Sequence, residues 1–153
     1  MHLKPKSKPT KKKKIIKKFN PIIYRNNGKP KVKSIELGDE FTLVEFQYRS
    51  SYKYLNGGWI QIHKDSFIRD CKTKGKYPLL LALNIPIAPE KFYFKRSGQL
   101  HRYTLVFPAL PKSTESIDII EKEAPGTYFN FYNLKYQRWM KIDSESNYLN
   151  QNN

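Results

Sequence analysis

From about Ile35 onward, short runs of alternating apolar and polar residues follow one another along the chain. In "FTLVEFQYRS" (41–50), Thr42, Val44, Phe46 and Tyr48 fall on one face of an extended segment, because successive side chains point to opposite sides of a strand. "LNGG" (55–58) signals a turn, and "GWIQIH" (58–63) sets Ile60 and Ile62 against Trp59, Gln61 and His63. "DSFIRDC" runs into "KTKGK" (72–76), a polar hairpin tip in which Gly75 offers a positive φ. "YPLLLALN" (77–84) fits a buried strand or a helical turn, while Pro78, Pro86 and Pro89 argue against any long helix. "LHRYTLVF" (100–107) divides Leu100, Arg102, Thr104 and Val106 from His101, Tyr103, Leu105 and Phe107. "SIDIIE" (116–121) and "TYFNFYNLKY" (127–136) complete the series, with Phe129 and Phe131 on one face and Tyr128 and Tyr132 on the other. Strands spaced by roughly ten residues, with turn residues between them, predict an all-β chain folded as an antiparallel sandwich or barrel.

The front of the chain is written differently. Residues 1–35 hold thirteen Lys and Arg and no acid, whereas Glu36 to the end holds sixteen against thirteen. Thirteen of the sixteen net positive charges therefore sit on the leader. High like-charge density, little apolar surface and four prolines predict disorder in isolation. The expected organisation is a lysine-rich arm over 1–34, a β-sandwich domain over 35–142 and a polar frayed tail over 143–153. Ile15, Ile16 and Phe19 line one side of a helical turn if the arm folds on a partner.

Taken in order, "YPLLLALNIPIAPEKFYF", "LHRYTLVFPALPKSTESIDIIE" and "TYFNFYNL" resemble small immunoglobulin-like β-sandwich modules of uncharacterised function in bacterial cell-envelope and secreted proteins. The matching positions are an F-x-x-L-P strand exit at Phe107, Leu110 and Pro111, then Ile117 to Glu121, then Tyr128 to Leu134. The likeness spans roughly residues 36–136 and consists of packing and turn motifs. It implies an immunoglobulin-like antiparallel sandwich acting as an accessory or ligand-presenting module, usually exported, with no catalytic residues to carry over. The lysine arm stands where such modules carry a signal or lipoprotein start.

Chemistry-bearing residues are sparse. The single cysteine, Cys71, supplies neither a disulfide nor a Cys-rich zinc site. His63 and His101 lie on separate predicted strands, where a strand histidine satisfying a hydrogen bond is the simpler account, and no motif pairs Cys71 with His63 as nucleophile and base. Asp39, Glu40, Asp65, Asp70, Glu121 and Glu123 fall at predicted strand ends and turns, where solvent keeps them ionised. "NGG" and "SGQ" lack the strand–loop–helix setting that cradles a phosphate. No catalytic centre, metal site or cofactor is expected.

The expectation is instead a non-catalytic binding or structural protein. Its polyanion-binding groups are Lys4, Lys6, Lys8, Lys11, Lys12, Lys13, Lys14, Lys17, Lys18, Arg25, Lys29, Lys31 and Lys33. Twelve lysines against one arginine suit contact with a phosphate backbone, RNA or DNA, without sequence discrimination. An anionic membrane surface is the competing partner for such an arm. The outward ring set of "TYFNFYNLKY" is available to stack bases or to meet a protein partner in a larger assembly. Tyr48, Tyr52, Tyr54 and Trp59, around "SSYKYLNGGW", form a more exposed expected contact surface, with Lys95, Arg96 and Arg102 as its basic rim. With no apolar leader or membrane-length run as written, a cytoplasmic or virion-like, assembly-associated location is expected. The alternative is a cell-envelope or secreted immunoglobulin-like accessory module that binds a protein or ligand.

Overall fold

The computed structural model describes residues 17–19 and 29–135, and every regular element among them is a strand. These are β1 (Lys17–Phe19), β2 (Lys31–Leu37), β3 (Phe41–Arg49), β4 (Trp59–Ile60), β5 (Phe67–Asp70), β6 (Lys76–Pro78), β7 (Leu81–Leu83), β8 (Phe92–Tyr93), β9 (Leu100–Pro108), β10 (Ser116–Ile120) and β11 (Phe131–Lys135). They form a five-stranded sheet in the order β1-β2-β3-β9-β7, a four-stranded sheet in the order β11-β10-β5-β6, and a β4-β8 ribbon. All the strand pairs are antiparallel.

Alternation decides which side chains meet between the two large sheets. Thr42, Val44, Phe46 and Tyr48 of β3 are buried, as are His101, Tyr103, Leu105 and Phe107 of β9, and the register pairs Phe46 with Tyr103 and Val44 with Leu105. Ile68, Ile117, Ile119 and Leu134 join the same core from the other sheet. Phe46 stacks on Tyr103 at 5.0 Å between ring centroids and reaches across to Phe131 at 5.7 Å. Each such side chain buried contributes about 1.5–3 kcal/mol, enough to hold two sheets together without help from charge.

Four expectations are corrected here. The boundary expected at 34/35 cuts through β2, whose Val32, Ser34 and Ile35 are buried, with a bulge between Val32 and Ser34 that breaks the simple alternation. β1 lies within the span expected to be disordered, with Lys17 opposite Leu37, Lys18 opposite Glu36 and Phe19 opposite Ile35. A charged segment can still pair its backbone along a free sheet edge. In "YPLLLALN" no leucine is helical; Leu80, Leu81 and Leu83 are exposed, and Leu79 packs only partly against the core. β7 is an edge strand in which Leu81 opposes Val106 and Leu83 opposes Thr104, both outside positions, so only Ala82 turns inward. In the β5–β6 turn, Lys74 rather than Gly75 takes the positive φ, at 64°. Asp70 is buried beneath that turn, accepting the N–H groups of Lys72 at 2.8 Å and Thr73 at 3.2 Å, and it fixes the chain path there. The expected tail, 143–153, and the last residues of the expected sandwich lie outside the described residues.

Candidate functional site

Arg49 closes β3 and pairs with Leu100, which opens β9. The segments after Arg49 and before Leu100 therefore emerge at the same end of the molecule. They meet as the β4-β8 ribbon, where Trp59 opposes Tyr93 and Ile60 opposes Phe92. Ile60 is buried, so Trp59 and Tyr93 share the outer face of the ribbon.

Ser50 binds the two segments together. Its hydroxyl donates to the Arg96 carbonyl at 2.7 Å and accepts the Gln99 N–H at 2.8 Å, while its own N–H donates to the Gln99 carbonyl at 2.9 Å. Arg49 adds a guanidinium hydrogen bond to the Gly98 carbonyl at 2.9 Å. Gly57, at φ 85°, fits beneath this junction because a Cβ there would lie 2.6 Å from both the Arg96 carbonyl oxygen and Ser50 Oγ.

Four aromatic rings stand on this scaffold: Tyr52 is 73% exposed, Tyr54 62%, Trp59 45% and Tyr93 67%, with Leu55 projecting beside them. Segments 49–60 and 91–102 contribute Arg49, Lys53, Lys91, Lys95, Arg96 and Arg102, and contain no Asp or Glu. The Lys91 ammonium lies 4.3 Å from the centroid of the Trp59 ring. Rings and cations with no intervening acid suit a polyanion that also presents flat apolar faces.

Tyr52, Tyr54 and Trp59 thus lie on the expected surface, and Lys95 and Arg96 lie beside it. Tyr48 does not belong to it. It is 7% exposed, packs between Phe94 and Phe129, and burial, with the charge of Tyr54 adding to it, pushes its hydroxyl pKa up. The alternation of β3 already placed Tyr48 on the Phe46 face. "SSYKYLNGGW" also does not close a hairpin on itself, because β4 pairs with β8 some thirty residues later. That long-range pairing brings in Tyr93 and Lys91, which local pattern did not single out, although Tyr93 does alternate with the inward-facing Phe92 and Phe94.

Of the expected arm residues, Lys29, Lys31 and Lys33 retain solvent access, and the backbones of Lys17 and Lys18 lie in β1. Lys4, Lys6, Lys8, Lys11, Lys12, Lys13, Lys14 and Arg25 lie outside the described residues.

The remaining titratable groups hold structure together. Cys71 Sγ donates to Asp118 Oδ1 at 3.3 Å, whereas His63 Nδ1 accepts the Asp65 N–H at 3.2 Å, so each has a different partner. Burial pushes the Cys71 thiol up, away from a reactive thiolate. His101 is buried, with Nε2 2.6 Å from the Asn84 carbonyl oxygen. Asp70 and Glu121 depart from the solvated turn carboxylates expected, since both are buried. Backbone N–H groups take the place of water: Glu121 accepts His63 N–H at 3.0 Å and Phe129 N–H at 2.9 Å, tying the 61–66 segment to the β10–β11 connection. Burial outweighs those bonds and raises the Glu121 carboxyl above its ordinary range. The cavity beside it, lined by Phe46, Tyr103, Phe129 and Phe131 among others, has a volume near 10 Å³, room for one water and no organic ligand. Among the described residues, no three His, Cys, Asp or Glu side chains are grouped to hold a metal ion, and no helix is long and apolar enough to cross a membrane.

Comparison of the chain with protein-family models, with curated proteins and with solved structures finds no match.

Proposed function

We propose that this chain is a non-catalytic binding protein in which a sandwich of immunoglobulin-like type presents one loop end to a polyanion, nucleic acid within an assembly, while the N-terminal lysines add sequence-independent grip. The observation that carries the reading is the loop end itself: exposed rings and six cations on two interlocked segments with no acid among them. Strand order supports the immunoglobulin-like type. If β2, β3, β5, β6, β7, β9, β10 and β11 are lettered A, B, C, C′, D, E, F and G, the sheets become A-B-E-D and G-F-C-C′. In that lettering the B–C and D–E connections form the exposed surface, and such loops are where sandwiches of this kind present binding groups. The same order also favours the second reading, an accessory module of the cell envelope that binds a protein or ligand through these loops.

A titration of the full chain against labelled RNA and DNA across a salt series tests the proposal. Binding should weaken steeply as salt rises. Replacing Lys11, Lys12, Lys13 and Lys14 with Ser should make the log–log slope on duplex shallower by about 3–4, near 0.9 for each neutralised phosphate. These substitutions leave β1 and β2 intact, as truncation through residue 33 would not. No retention of either nucleic acid at low salt defeats the reading and leaves the accessory module standing.

A further inference from the structure

We infer that the loop end is a stacking site for unpaired nucleotides, so that the chain holds single-stranded nucleic acid in preference to duplex. The inference rests on the polyanion reading and adds the state of the strand. A phosphate backbone requires only cations, and a duplex hides the faces of its bases against one another. Four exposed rings at a cationic surface find partners only in bases that have left the stack.

The placement of the rings agrees with this. Two of them rest against glycine. A Cβ at Gly98 would lie 2.4 Å from the Tyr52 hydroxyl, and one at Gly58 would lie 3.1 Å from Tyr54 Cδ2, so both rings sit directly over glycine backbone. Gly58 and Gly98 have φ of 76° and 71°, conformations that favour the residue lacking a side chain. Rings that rest against backbone lose less freedom when a base settles on them than rings in open solvent would. Cations and rings also alternate with the period of an extended chain. Lys91, Tyr93 and Lys95 are exposed, while Phe92 and Phe94 between them turn to the core. Lys53 lies between Tyr52 and Tyr54 in the facing segment. A nucleotide strand repeats the same two elements, a base and then a phosphate.

The experiment measures binding of the full-length chain to labelled oligothymidine of about twelve nucleotides and to a blunt duplex of equal length, at matched salt. Single strand is expected to bind more tightly than duplex by about tenfold or more, with Tyr52→Ala and Tyr93→Ala each weakening it by about 5- to 100-fold. Tyr93→Phe, which keeps the ring, should restore binding, and duplex affinity should change by no more than about twofold in any of these variants. Circular dichroism checks that each variant keeps the native fold. Equal affinity for the two forms, or unchanged single-strand binding by Tyr93→Ala, overturns the stacking site while leaving the polyanion reading intact. Binding of neither form at low salt overturns both. Ring-dependent binding of heparin without binding of oligothymidine overturns the inference in favour of an acidic polysaccharide.

Discussion

The two ends of the sandwich use charge in opposite ways. At the end opposite the β4-β8 ribbon, the β2–β3 turn, the β5–β6 turn and the β9–β10 connection carry both signs of charge: Asp39, Glu40 and Glu115, with Lys72, Lys74 and Lys112. Acids near that end also build the fold. Asp70 caps the β5–β6 turn and accepts the Thr114 hydroxyl at 3.1 Å, and Asp118 accepts Arg69 Nε at 3.0 Å and Asn133 N–H at 2.8 Å. At the β4-β8 end the joining is done without a carboxylate, by the Ser50 hydroxyl, glycine backbone and the Arg49 guanidinium on the Gly98 carbonyl, and Lys53, Lys91, Lys95, Arg96 and Arg102 stay exposed. Carboxylates occur at that end as well: Glu121 is turned inward onto backbone N–H groups, Asp65 lies beside His63, Glu123 pairs with Arg69, and Glu90 is exposed just before Lys91. Because the Ser50 junction is made without an ion pair, the exposed cations of 49–60 and 91–102 keep their positive potential available to a partner.

The sharpest way to test this division is to remove a carboxylate that builds. Asp118→Ala leaves Arg69 with Glu123 as its remaining acidic partner and leaves the Asn133 N–H, at the positive-φ bulge of β11, without its acceptor. A loss of about 3 kcal/mol in urea unfolding is expected, with polyanion binding by the folded fraction unchanged. Burial pushes the Asp118 carboxyl up, but the Asn133 N–H, Cys71 and Arg69 outweigh it and hold the pKa below its ordinary range. Asp70 behaves alike: burial pushes its carboxyl up, and the N–H groups of Thr73 and Lys72 outweigh it. A depressed folded pKa means that this stabilisation is complete above the unfolded carboxyl's pKa and disappears as pH falls through the folded value. Acid unfolding should therefore move to higher pH in Asp118→Ala.

Gly57→Ala tests the other end. The added Cβ meets the Arg96 carbonyl and Ser50 Oγ at 2.6 Å from a positive φ, so the segment must shift. A cost of about 2 kcal/mol is expected, now accompanied by weaker polyanion binding in the folded protein. Stability lost with binding at one end, and without it at the other, is the contrast that the two substitutions measure. Equal binding loss from both would show that the loop end is not an independent surface.

Glu121 separates the ends by the sign of its pH response. Its folded pKa is raised, chiefly by burial, so its contribution is favourable below the unfolded carboxyl's pKa and is lost as pH rises through the folded value, opposite to Asp70 and Asp118. Glu121→Gln removes that ionisation but turns an amide donor toward one of the two N–H groups, a net cost of about 1 kcal/mol at acidic pH, where the native carboxyl is neutral. The difference between native and variant should narrow as pH increases, which parallel urea titrations would reveal. A difference independent of pH would mean that Glu121 titrates like a solvated carboxylate.

Much of the interior was legible because period-two burial is a local property. The faces of β3 and β9 follow directly from "FTLVEFQYRS" and "LHRYTLVF", and the inward turn of Phe129 and Phe131 follows from their spacing. What stayed hidden depends on partners distant in sequence. Nothing near Trp59 indicates Tyr93 as its neighbour, and nothing near Leu81 shows that β7 lies at a sheet edge. β2 was obscured by a bulge and by the lysines around it. Tyr48 is a different case: composition suggested an exposed tyrosine cluster, while alternation placed it inside, and the geometric signal prevailed. Buried Asp70 and Glu121 resembled ordinary turn acids because the backbone donors that replace water come from the folded turns themselves.

The gentlest substitutions bear most directly on the charge asymmetry. Lys53 and Arg96 have exposed side chains, and it is the backbone carbonyl of Arg96, retained in any substitution, that accepts from Ser50. Lys53→Gln and Arg96→Gln should therefore change stability by less than about 0.5 kcal/mol each. Their effect should appear in the salt dependence of binding, where each single-strand phosphate left without its cation makes the slope shallower by about 0.7. At the other end, Lys72→Gln and Lys74→Gln remove the same number of charges from an end whose turns also hold Asp39, Glu40 and Glu115. Those two should leave the slope unchanged, although the net charge falls equally in both double variants. If binding follows net charge alone, the two pairs will be indistinguishable and the loop end loses its special status. If it follows position, only the Lys53 and Arg96 pair will register, because counterions are released only where phosphate meets cation.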